Sequence, residues 1–286
     1  MQIECLTSKS SHATLFMKKT MTDITHTPSG PHFLIAHYGV DGAVATALLA
    51  QASWLQPEHG LSGNVTFTSL NHVTDIDSIS QALAGIDMVF ILGSDNDSTT
   101  PTSALELARQ CKEKNIRCFT VLTVKKPENQ MDTTTTSLRN VSNNILLLSA
   151  EKLSGDFSSC NYLKEAIATI VGPLVGKSLI GVDMEDMQSQ LNHGKIIHFA
   201  AGTAQGNNRA TNAAKLAIQH LPEIHQARAI IGNITFGSDF SLEEYSVVSH
   251  FLDETVRNNC TLLLCMTQDK EINEEVLVAF ICVSIP

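Results

Sequence analysis

Two neighbouring carboxylates pose the first chemical question. Asp183 and Asp186 bracket Met184-Glu185 in a short polar turn that begins Gly181-Val182-Asp183. Carboxylates can orient a water molecule and accept its proton. The same spacing has a plainer use: Asp183 can cap a helix, with Asp186 at the third position. Taken alone, D-x-x-D is a weak motif, and the helix cap is the better reading.

Chemistry on a phosphate also needs main-chain N–H groups aimed at its oxygens, and glycine lets the backbone approach. After the first apolar strand the chain reads Ala36-His37-Tyr38-Gly39-Val40-Asp41-Gly42. Gly39 and Gly42 suit a cradle, whereas Tyr38 and Asp41 do not. Beyond the strand ending at Leu92, Gly93-Ser94 leads into Asp95-Asn96-Asp97-Ser98-Thr99-Thr100-Pro101-Thr102. Pro101 removes a backbone donor. Asp95 and Asp97 would face a polyanion, each like-charge contact costing about 1 kcal/mol in water and ~4 near a protein surface. Read by itself, the stretch is a turn before a helix.

The elements that must position these residues alternate in type. Strands are expected at His32 to Ala36, Val65 to Leu70, Met88 to Leu92, Arg117 to Val124 and Ile145 to Leu148. Between them fall helices at Val40 to Leu55, Ser78 to Ala84 and Ser103 to Lys114, the last with Ser103 as N-cap and Glu106 completing a capping box. Met131 to Asn144 is polar and reads as an exposed loop or a poor helix. Repeated β-α-β order argues a parallel, doubly wound sheet, which holds ligands beyond the carboxyl ends of its strands. A further helix from Phe157 to Val171 is ended or interrupted by Gly172-Pro173.

Past Lys177 the rhythm changes. Ala210, Ala213, Ala214 and Ala217 give Asn208 to His220 one narrow apolar face. Ser241 and Glu244 form a capping box for a helix striped by Leu242, Tyr245, Val248, Leu252 and Val256. Strands are expected at Thr261 to Met266 and Val276 to Ile285. The expected domains are a flexible tail (1–31), a larger unit with its central helix (32–176) and a smaller α+β unit (177–286).

Composition narrows the function classes. The chain has 286 residues, a net charge of −10 and scattered basic residues, so no stripe for nucleic acid is read. Seven cysteines occur without a CxxC, so neither a metal cluster nor a redox pair is indicated, and reduced thiols suit a cytoplasmic protein. No apolar run approaches the length of a membrane span.

Three stretches resemble the tubulin/FtsZ family, in its FtsZ branch. They are Ala82 to Ile91, then Val182-Asp183 with Asp186, then Gly232-Asn233-Ile234-Thr235-Phe236-Gly237. The resemblance runs from His32 to Ile285 and implies a nucleotide-binding-type domain joined by a central helix to a smaller α+β domain. It implies a GTP or GDP site at Gly39, Gly42, Asn71, Gly93, Thr99, Phe157 and Asn161. It implies that Asp183 and Asp186 act on the GTP of a neighbouring subunit. The family's G-G-G-T-G-T-G loop falls on Asn96 to Thr102, where only Thr99 matches, and a further glycine loop has no room between Asn71 and Ser78. By their residues alone, Phe157 is equally a core ring and Asn161 equally an exposed or capping residue, while an Asn at a strand end, such as Asn71, is usually a turn residue.

The expected function is therefore an FtsZ-like cytoskeletal or cell-division protein with weak or no GTP binding, acting by head-to-tail contact with FtsZ-type subunits or with itself. Its ending at Pro286 leaves none of the family's terminal peptide, so no direct membrane anchor is expected. The alternative is a self-assembling GTPase with an altered pocket, hydrolysing GTP between adjacent subunits. An unrelated α/β protein with another ligand or none stays open as a third reading.

Overall fold

The structure, a computed structural model, describes residues 30–56, 61, 63–70, 76–94, 101–124, 133–149, 159–176, 180, 182–256, 260–269, 272 and 274–284. The first half alternates β1 (His32–His37), α1 (Gly39–Ala50), β2 (Asn64–Ser69), α2 (Ile76–Ala82), β3 (Met88–Ser94), α3 (Thr102–Glu113), β4 (Arg117–Val124), α4 (Thr133–Val141) and β5 (Asn144–Ser149). The central helix α5 (Ser159–Val175) follows. The second half runs α6 (Met184–Leu191), β6 (Ile196–Gln205), α7 (Arg209–Gln219), β7 (Ala229–Phe236), α8 (Leu242–Thr255), β8 (Thr261–Gln268) and β9 (Glu275–Ser284).

The strand order is β2-β1-β3-β4-β5-β6-β9-β7-β8. The first five are mutually parallel and doubly wound. β5 and β6 share only Ile145↔Ile196 and Leu146↔Ile197, after which β6 runs antiparallel to β9 for ten pairs. This is the α/β fold expected, with the mixed strands β6 to β9 continuing the parallel ones in a single sheet and α5 packed on both parts. Phe33, Ile35 and Leu49 of the first part share one apolar core with Leu163, Ile167 and Val171 of α5 and with Ala229, Ile231 and Ile281 of the second.

Several local signals act as written. Ser241 Oγ accepts from Glu244 N at 3.2 Å and the Glu244 carboxylate accepts from Ser241 N at 3.0 Å, closing the capping box of α8. The alanines of α7 are buried against β6 and β9. Arg209 then pins the α8 end, pairing with Asp239 at 2.6 Å and Glu244 at 2.8 Å.

Others give way to tertiary partners. Ser103 does not cap α3. Its hydroxyl donates instead to Leu70 O at 2.8 Å, the N-cap is Pro101, and Glu106 accepts from Gln110. Pro173 does not end α5, which continues to Val175, because Val171, Leu174 and Val175 are held in the core. α1 stops at Ala50 rather than Leu55, since a 3-10 turn at Ser53–Leu55 buries Trp54. Leu242 leaves the α8 stripe and is 68% exposed, and Val256 lies beyond the helix. The threonine-rich segment forms α4, seated by buried Thr135 and Leu138.

Candidate functional site

In this sheet the connections from β1 and β3 leave in opposite directions, which opens a crevice at the carboxyl ends of those strands. Gly39 and Gly42 fall in the first turn of α1, directly after β1. Gly39 starts α1 with φ +70°, a conformation that other residues rarely take. At Gly42 a Cβ would lie 2.7 Å from Leu92 O, so the missing side chain lets α1 rest on β3. Tyr38 N donates to Leu92 O at 3.0 Å, fixing the turn between β1 and α1.

Gly93 sits on β3 directly below the Tyr38 ring. A Cβ there would be 2.1 Å from the ring carbon Cζ, and Tyr38 is only 1% exposed. The bare stretch of main chain at Gly93 is thus covered by an aromatic ring that belongs to the core around Leu34, Leu70 and Ile91. Beneath α1, on the other face of β1, His37 is buried with no partner for Nδ1, and burial lowers its pKa. Asn161 is half-buried in the first turn of α5. Asn71, Thr99 and Phe157 lie outside the described residues, as do Asp95 and Asp97.

The acidic turn lies elsewhere. Asp183 is the N-cap of α6, and its Oδ1 accepts from Asp186 N at 2.8 Å. Met187 and Leu191 are buried and Val182 and Met184 pack on the central core, so Asp183, Glu185 and Asp186 face outward. Burial, with the nearby Asp186 carboxylate adding to it, pushes the Cys265 thiol up to about 12. The far end of α6 reaches β4 at its amino end, where Asn192 accepts from Arg117. The crevice side reaches β4 at Thr123, six residues on or about 20 Å away. The carboxyl end of α6 therefore lies toward the amino ends of the strands, away from the crevice.

A cavity of about 150 Å³ opens between α5 and strands β7 and β8, lined by Glu165, Asn233, Thr235, Thr267 and Asp269 among others. Thr267 Oγ1 donates to Asn233 Oδ1 at 3.1 Å, and Asn233 Nδ2 donates to Thr235 Oγ1 at 3.2 Å. Sequence reasoning missed this site. The available signal was polar Asn233 and Thr235 inside an otherwise apolar strand. Among the described residues no group of three His, Cys, Asp or Glu side chains could hold a metal, and no helix is long and apolar enough to cross a membrane.

The FtsZ family, C-terminal domain, matches residues 196–286. Cell division protein FtsZ of Wigglesworthia glossinidia brevipalpis is 28% identical over 234 residues, 74% of this chain and 60% of that protein. The Pseudomonas aeruginosa FtsZ is 27% identical over 228 residues, 72% and 58% of the two chains. The chain thus spans about 60% of the length of these relatives. Among solved structures, an empty FtsZ dimer of M. jannaschii superposes with a TM-score of 0.71 at 16% identity, covering 96% of this chain and 92% of that one. The GDP-bound monomer of CetZ1 from Haloferax volcanii gives 0.63 at 12% identity, covering 89% and 94%.

Proposed function

The chain belongs to the tubulin/FtsZ family, and from that premise we propose a member that works by contact and holds GTP or GDP weakly or not at all. Residues 32–176 form the unit that bears the crevice, and residues 177–286 follow with the acidic turn. The outward carboxylates of Asp183 and Asp186 meet a neighbouring FtsZ-type subunit, a conventional one or a second copy. There they join, cap or modulate a filament.

The observation that supports this most is the Tyr38 ring over Gly93. A phosphate needs close approach to bare main chain, and here the approach is covered by a buried side chain. Pro101 at the cap of α3 takes away one more donor from the crevice side.

The test is purified protein with labelled GTP, alone and mixed with a conventional FtsZ. No binding, together with altered assembly of the partner, is the expected result. Micromolar binding with phosphate release abolished by Asp186→Ala would sink the proposal.

A second reading is a self-assembling GTPase with an altered pocket. Its support is the joint presence of Gly39 and Gly42 at the crevice, Asn161 at the head of α5 and the exposed acids on α6. In that reading Asn71, Thr99 and Phe157 complete the nucleotide contacts.

A further inference from the structure

Asp41 stands in the first turn of α1. One carboxylate oxygen accepts from Thr123 Oγ1 at 3.0 Å and the other from Cys160 Sγ at 3.9 Å. Thr123 is fully buried near the carboxyl end of β4, and Cys160 is the second residue of α5. One negative charge therefore sits at the amino ends of two helices and over the end of a central parallel strand. Those helix ends carry partial positive charge. The ends of such strands are where this kind of sheet holds anionic ligands. His37 lies against the same turn, its Cβ 3.4 Å from where a Cβ on Gly42 would be, and its buried Nδ1 has no partner.

We propose that Asp41 is a built-in anion. It takes the position that an oxyanion of a phosphate-bearing ligand would occupy, fastens α1, β4 and α5 together, and closes the crevice to such ligands. The inference rests on the reading that this chain holds nucleotide weakly or not at all, and it supplies a reason beyond the Tyr38 ring. An anion arriving there would meet a fixed like charge a few ångströms away, which the low-dielectric surroundings of buried Thr123 do little to screen.

The experiment uses the full chain and inorganic pyrophosphate as the probe, reading Tm against sodium chloride at matched ionic strength. Asp41→Ala removes the charge and opens space, and Asp41→Glu keeps the charge. The wild type and Asp41→Glu are expected to show no response, while Asp41→Ala gains about 2–4 °C with saturating probe. A folded Asp41→Ala with no gain overturns the proposal, and so does an equal gain by Asp41→Glu. If Asp41→Ala does not fold, Asp41→Asn keeps the shape and is expected to gain likewise; no gain by that variant also overturns it.

Labelled GTP separates this inference from the functional reading. Binding by the wild type that Asp41→Ala tightens several-fold sinks the functional reading and leaves the built-in anion standing. Absence of binding by the wild type, with Asp41→Ala equally unresponsive, does the reverse.

Discussion

The Ser53 hydroxyl donates to the Asp269 carboxylate at 2.5 Å, and both side chains are buried. The bond ties the turn after α1 to the end of β8, elements 216 residues apart in the chain. Ser53→Ala leaves a buried carboxylate short of a donor and is expected to cost about 1.5–3 kcal/mol. A lower urea midpoint at unchanged m-value is the check; an unchanged midpoint would mean the bond adds nothing.

Tyr38 and Gly93 are coupled by space. Gly93→Ala places a Cβ inside the Tyr38 ring and is expected to destabilise by roughly 1–3 kcal/mol. In a Tyr38→Leu background the same change should cost less, with a coupling of about 0.5–3 kcal/mol in the double-mutant cycle. Strict additivity would show that the two do not touch.

The two acids on α6 have separable roles. Asp183→Ala loses the cap to Asp186 N and should cost about 1 kcal/mol. Asp186→Ala loses only a favourable charge in the first turn, less than ~1 kcal/mol. Yet Asp186→Ala should abolish the effect on assembly of a conventional FtsZ, measured by sedimentation. If both variants keep that effect, the acidic turn is not the contact.

His37 makes stability depend on pH. Burial lowers its pKa below the ordinary 6.5, so the unfolded chain takes up the proton first. Stability is then full above about pH 6.5 and declines as pH falls toward the lowered folded value, at up to ~1.4 kcal/mol per pH unit. Thermal melts of wild type and His37→Leu between neutral and mildly acid pH test this. The variant should lose less stability on acidification, and parallel curves would refute it.

Much of the framework was legible because it is written in short-range spacing. The alternation of β1 to β5 with helices, the alanine face of α7 and the Ser241–Glu244 box depend on residues two to four positions apart. β6 and β7 were not, since small and polar residues such as Gly202, Thr203 and Asn233 interrupt their apolar pattern. Ser103 shows the limit from the other side. Its spacing to Glu106 suits a cap, but a carbonyl 33 residues away takes its hydroxyl.

By itself the sequence determined that the glycines of a phosphate loop are missing from Asn96 to Thr102 and that an acidic turn follows the central helix. Both are statements of residue type, which need no partner. Only the tertiary structure decided that the Tyr38 ring roofs Gly93, that Asp41 bonds Thr123 across 82 residues, and that the acids of α6 face outward. These are pairings between distant segments. Packing selects them by matching shapes and by leaving few buried polar groups unsatisfied, and no local spacing encodes that choice.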